Sequence, residues 1–183
     1  DWQQDGARIG RLREAAPVTV YTPGASFGVP LAVLRALTAP SVAQRQDAEL
    51  VRERASGAVS SLLTLLGVES DPMTGREHVL LATIVQNAWL AGQDLNLPTL
   101  IAQIQTPGFT QIGVMNLDTF YPAKDRFALA MRINTLIASP AFAVWTQGEP
   151  MDIARLLWTP AGKPRISVVS IAHLDDAQRM FFV

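Results

Sequence analysis

Apolar residues recur at intervals of three and four through the middle of the chain, and β-branched runs lie near its two ends. Residues 7–15 read as a charged helix. Pro17-Val18-Thr19-Val20-Tyr21, followed by Pro23-Gly24, reads as a strand, because β-branched and aromatic residues stand between turn formers. Residues 30–37 fit a strand or a helix equally, and Ala39-Pro40-Ser41 is a break. Residues 44–66 predict a helix, charged early and apolar late, with Gly67 as its stop. Thr74-Gly75-Arg76-Glu77 has the spacing of a capping box, in which the Thr hydroxyl accepts from the Glu amide and the Glu side chain reaches back. The helix it opens runs to about Ala91 and stops at Gly92. Leu80, Leu81, Ile84, Val85, Ala88 and Trp89 give it one wide buried stripe. Further helices are predicted over 98–105, ended by Pro107-Gly108, and over 122–138, with Pro122 as first helical residue. Another short one begins at Ser139-Pro140 and ends near Gly148-Glu149-Pro150. Residues 156–159 and 165–171 flank Pro160-Ala161-Gly162-Lys163 and read as a β-hairpin. Its second arm is mostly apolar on both faces, as in a strand inside a covered sheet. A last helix starts near Leu174-Asp175.

A strand at each end of a helical block suggests an α/β sheet carrying a mainly helical insertion, helix-rich overall. The expected division is 1–40 and 151–183 as sheet-bearing parts and 41–150 as the insertion. Few strands are present, so the rest of such a sheet is expected in flanking sequence. The chain begins at Asp1 without an initiator Met or a signal-peptide core, and it stops on Met180-Phe181-Phe182-Val183. Free termini are usually polar, so both ends read as cuts inside a longer protein. With 49% hydrophobic and 17% charged residues, the composition excludes a disordered chain. The net charge of −1 gives no global basic field that would point to nucleic acid. The absence of cysteine excludes a disulfide framework and a zinc–thiolate site, and fits a reducing, cytoplasmic setting. No apolar run approaches the roughly 18–20 residues that a bilayer requires.

Five segments, in this order, resemble a bacterial family of HerA-like ATP-binding proteins. They are Val18-Thr19-Val20-Tyr21-Thr22-Pro23-Gly24, the run from Pro122-Ala123-Lys124-Asp125-Arg126 to Met131, Gly148-Glu149-Pro150-Met151-Asp152-Ile153, Ser170-Ile171-Ala172-His173-Leu174, and Arg179-Met180-Phe181-Phe182-Val183. The resemblance implies a RecA-like P-loop sheet, and a parent protein that assembles as a ring, usually a hexamer, and moves along or unwinds DNA using ATP and Mg²⁺. It implies that the phosphate loop lies before Asp1 and the acidic Walker B strand after Val183. This chain would then be an internal segment, inactive alone, whose partners are the flanking ATPase core, further copies and, through the parent, DNA.

The residues themselves bear on that expectation. A phosphate loop requires glycines, a Lys and a Ser or Thr hydroxyl for magnesium. Gly162-Lys163 is followed by Pro164 and reads as a turn. Thr22 to Gly28 has glycines but no Lys, and also reads as a turn. Asp175-Asp176 follows an apolar strand, but an Asp at a helix start is a common cap. His173 lies at the carboxyl end of the last strand, where open α/β sheets hold ligands. It is a candidate for nucleotide or subunit contact, and the alternative is a hydrogen-bonded structural histidine. Arg126 and Arg132 could offset phosphate charge across a subunit boundary, and Lys124 could touch DNA phosphates. The alternative for all three is a solvated or salt-bridged helix face. Arg179 has the same two readings. His78, in a helix's first turn, reads as solvent-facing or capping. Trp89, Trp145, Trp158, Phe127 and Phe142 read as core. Two isolated histidines give no metal site, and no hydrolase triad is present. The competing functional reading is a stand-alone helical interaction module without catalysis. A helical packing whose terminal strands pair only with each other would favour that reading.

Overall fold

A computed structural model describes residues 5–32 and 37–182. Residues 33–36, part of the undecided stretch 30–37, lie outside the described residues. So do residues 1–4 and Val183, on which the reading of the two ends partly rests. The protein is mixed α/β and helix-rich, with a few short strands. No described helix is long and apolar enough to cross a membrane.

Asp5 caps α1 (Gly6–Ala15), which buries none of its residues. Pro17 separates it from β1 (Val18–Tyr21), and β2 (Leu31–Ala32) follows. The predicted helix over 44–66 is two helices, α2 (Val42–Arg45) and α3 (Ala48–Leu65). The break is chemical. Asp47 takes the N-cap position, and its carboxylate accepts from the amides of Glu49 and Leu50 at 3.0 and 3.1 Å. The capping box sits one helix earlier, between Ser41 and Gln44. α3 ends at Gly67 and α4 (Arg76–Leu90) ends at Gly92, each glycine in the left-handed region. The bonds Val68 N–H to Leu63 O and Gln93 N–H to Ala88 O close their last turns.

The capping box expected at 74–77 does not form, because Asp71 competes for it. Its Oδ1 accepts from Met73 N, Thr74 N and the Thr74 hydroxyl, all within 2.9 Å. Gly75 therefore caps α4 without a side-chain bond, and Glu77 accepts from the Ser70 and Tyr121 hydroxyls instead. The amide bonds from Met73 and Thr74 hold the exposed Asp71 carboxyl below its ordinary value of 3.8. A depressed folded pKa gives stability that is complete above the unfolded value and is lost as pH falls through the folded one. Asp71→Ala should therefore lower the urea midpoint at pH 7. In melts at successively lower pH the difference should shrink as pH falls through the folded value, which lies below 3.8.

Asn96 and Thr99 form a capping box for α5 (Leu97–Gln105), with Pro98 in its first turn. The two-residue strands β3 (Gln111–Ile112) and β4 (Met115–Asn116) pair antiparallel and lead into α6 (Leu117–Phe120). Pro122 is the N-cap, not the first residue, of α7 (Ala123–Ala138). α8 (Pro140–Thr146), β5 (Glu149–Pro150), α9 (Ile153–Leu157), β6 (Ile166–Val169) and α10 (Asp176–Phe182) complete the chain. The predicted hairpin over 156–171 is not a hairpin. Asp152 caps the first arm into helix α9, leaving a single antiparallel bridge between Trp158 and Pro164. The second arm, β6, pairs parallel with β1 instead. Asp175 caps α10, exchanging two bonds with Gln178, which is the cap role its position predicts.

The chain divides into two compact units. The first comprises the described residues of 1–33 and 144–173. Here β1 and β6 are in register from Val18 opposite Ile166 to Tyr21 opposite Val169, and β2 pairs parallel with β5. Tyr21, on one face of the pair, is fully buried. Its hydroxyl donates to Glu149 and accepts from Arg165. Val18, Val20, Ile166 and Val168 share the other face, because side chains alternate along each strand, and all four are about half exposed. The expectation that this strand is covered on both sides fails in the described residues.

The second unit comprises the described residues of 34–143 and 174–183. α4 packs between α3 and α5, α7 packs on α5, and α10 packs on α3. Val51, Val59, Leu80, Leu81, Ile84, Leu100, Ile104 and Ile133 are buried there. The Trp89 indole N–H donates to Leu37 O at 2.9 Å, fixing the entry segment to α4. His78 is not solvent-facing. It is 1% exposed, with Nε2 3.1 Å from the Ser60 hydroxyl and 3.3 Å from Ser56 O. The apolar period of α4 continues through position 78, so the histidine enters the core and finds polar partners on α3.

Candidate functional site

In the first unit, the carboxyl ends of β1 and β6 come together. Ser170 N–H donates to Tyr21 O at 2.9 Å, so the two chains leave the sheet side by side. β1 runs into the loop 22–28, and β6 runs into His173. His173 Nε2 lies 2.8 Å from Pro23 O. A carbonyl only accepts, so this nitrogen carries the proton and donates. Phe27 meets the imidazole edge-on, with centroids 4.9 Å apart. Sequence reasoning placed His173 at a strand's carboxyl end, and the structure adds the loop that it holds.

That loop is closed on itself. Thr22 is buried, and its N–H donates to Val29 O. Its carbonyl accepts from Ala25 N, and its hydroxyl accepts from Gly28 N. These amides are used inside the turn and do not form a phosphate cradle. Gly24 has φ of 68° and lies against the Trp145 ring, where an added Cβ would come within 2.5 Å. Both the backbone angle and the ring therefore require glycine there. Gly162-Lys163 is likewise a turn, with bonds from Gly162 N to Thr159 O and from Lys163 N to the Thr159 hydroxyl.

The other candidates lie in the second unit, and they are not gathered. Arg126 is buried, with Nη1 donating to Asp118 Oδ1 and to Tyr121 O, each at 2.8 Å. Lys124 is exposed on the same helix. Arg179, on α10, lies 3.5 Å from Asp176 in an exposed i,i+3 pair. Arg132 is exposed and makes no ion pair among the described residues. It lines a cleft of about 260 Å³ with Arg76, Glu77, Tyr121 and Asp125. There the Arg76 guanidinium lies 5.4 Å from the centre of the Tyr121 ring. Burial, followed by the charge of Glu77, pushes the Tyr121 hydroxyl up to about 12, so at neutral pH it is a fixed donor.

Sequence reasoning missed this cleft, because Arg76, Tyr121 and Arg132 stand on different elements. It also assigned Phe127 and Trp158 to the core, whereas both are more than half exposed. Trp89, Trp145 and Phe142 are buried as expected. Among the described residues, no group of three or more histidines and carboxylates is gathered to hold a metal. No family model, curated protein or solved structure matches this chain.

Proposed function

We propose that the chain is part of a HerA-type, ATP-driven DNA translocase or helicase, supplying two adjacent strands of the ATPase core and a helical insertion, and that it is inactive alone. The observation that carries this reading is the parallel pairing of β1 with β6 across the whole helical block, with their carboxyl ends side by side. Parallel strands occur almost only in sheets covered on both faces. The bare face of Val18, Val20, Ile166 and Val168 suits a sheet that further elements cover.

The sequence carries no phosphate-loop motif, with its glycines, Lys and following Ser or Thr. ATP and Mg²⁺ are therefore bound by the rest of such a protein. The role of this chain is to place His173 and the loop it holds at the ligand end of the sheet. Of the arginines singled out in the sequence, Arg132, exposed and without an ion pair among the described residues, suits a neighbouring subunit's phosphate or DNA. Arg126, buried and doubly bonded, suits a structural role.

One observation favours the second reading, a helical interaction module. β1 and β6 pair with each other, and among the described residues no third named strand joins their sheet. ATP hydrolysis, measured with and without DNA, separates the two. The comparison is this chain against a longer one that also carries both Walker motifs. Activity only in the longer protein supports the motor reading. Inactivity in both supports the module.

A further inference from the structure

We infer that the first unit carries a binding site for a nucleobase bearing a phosphate, built on Trp158, Arg155 and Arg165. The inference does not depend on the motor reading. These residues and Glu149, Thr159 and Pro160 line one cavity of about 470 Å³, within the roughly 300–1,000 Å³ of small-molecule sites. The whole lining belongs to residues 149–165, so the site is complete within its own unit.

The chemistry is particular. Trp158 is 53% exposed, unlike Trp89 and Trp145, which are buried. Its backbone is held by the bridge to Pro164 and by the neighbouring Arg165 N–H bond to Leu157 O. An indole carried on an anchored backbone and open to solvent offers a π-face, and base–aromatic stacking is tolerant of sequence. Arg155 and Arg165 line the same cavity. Arg165 is fixed by its bond to the Tyr21 hydroxyl at 2.7 Å, and Glu149 lies 3.8 Å away. The Arg155 side chain has no partner among the described residues. Lys163 is exposed on the adjoining turn. Glu149 is the one carboxylate in the lining, and it already accepts from Tyr21. The cavity therefore presents a stacking surface with an excess of positive charge, which matches a planar base joined to an anion. Such a ligand can come as a single-stranded oligonucleotide or as a free nucleotide.

The test uses the full chain and two probes, an oligothymidylate of about 15 nucleotides, near the upper site size of single-strand binders, and thymidine 5′-monophosphate. Tryptophan fluorescence should fall on binding, and the fall should disappear in Trp158→Phe. In anisotropy titrations, Trp158→Ala should weaken binding about tenfold. Arg155→Ala should weaken binding and reduce the salt slope by about 0.7 for the phosphate contact removed. Both side chains are exposed, so these variants should keep the far-ultraviolet spectrum of the parent. Tighter binding of the oligonucleotide identifies a single strand as the ligand, and equal binding of both probes identifies a free nucleotide. The inference is overturned if neither probe quenches, if Trp158→Ala binds as the parent does, or if an oligoglutamate of equal charge competes as well.

Discussion

Trp89→Ala should lower the unfolding free energy by about 3–5 kcal/mol, the usual loss for a large aromatic deleted from a core. The indole is 2% exposed on α4, and its N–H donates to the Leu37 carbonyl at 2.9 Å. That carbonyl also accepts from Leu95 N–H at 3.1 Å, so it keeps one partner when the ring is removed. The lost hydrogen bond accounts for only about 1 kcal/mol, and the cavity accounts for most of the effect. Trp89→Phe tests this division, because it retains much of the volume and loses the donor. Its midpoint in urea should fall by clearly less than that of the alanine variant. Equal losses would mean that the bond to Leu37, and not packing, holds the entry segment on α4.

Arg126→Ala should cost about 2–4 kcal/mol. The side chain is 8% exposed, whereas that of its partner Asp118 is 72% exposed. The two ends of the pair therefore respond differently. Removing the arginine takes from the buried Tyr121 its carbonyl's donor and leaves a hole along α7. Removing the charge of Asp118 leaves water to take its place, so Asp118→Asn should cost less than about 1 kcal/mol. Arg126→Met should recover part of the loss by refilling the volume of the stem. A pair of melts in which Asp118→Asn and Arg126→Ala lose equally would sink this account. In a longer, active protein, Arg126→Ala that folds normally and abolishes ATP hydrolysis would return the residue to a phosphate-facing role.

The helices were legible where the apolar period or a terminal signal was strong. α4 follows from its apolar spacing, α5 from the stop at Pro107-Gly108, and α10 from Asp175. The errors fall where one polar side chain outcompeted another. Asp47 divided a helix that the apolar pattern runs straight through, and Asp71 drew Thr74 away from its predicted partner. At 152–171, Asp152 started a helix in a segment that local turn chemistry presents as the arm of a hairpin. Strand partners were less legible, because β6 pairs with a segment far back in the chain and no local signal encodes that choice. The position of His173 was legible from its place after an apolar run, and its hydrogen bond to Pro23 O matches the structural reading of that histidine. The Arg76, Tyr121 and Arg132 cleft, and the exposure of Trp158, depend on tertiary placement.

The pairing of β1 with β6 also bears on the order in which the protein assembles. His173 and Pro23, which meet just beyond that pair, are 150 residues apart along the chain. Closing a loop of that length costs on the order of 4 kcal/mol of chain entropy, against a ladder of only four residues per strand. Turns such as α3 to α4 close over short distances, and contacts of low sequence separation form early. The strand pair is therefore expected to form last and open first. Amide exchange should show it as Tyr21 and Ser170 losing protection while Val85 and Leu100, deep in the helical unit, retain theirs.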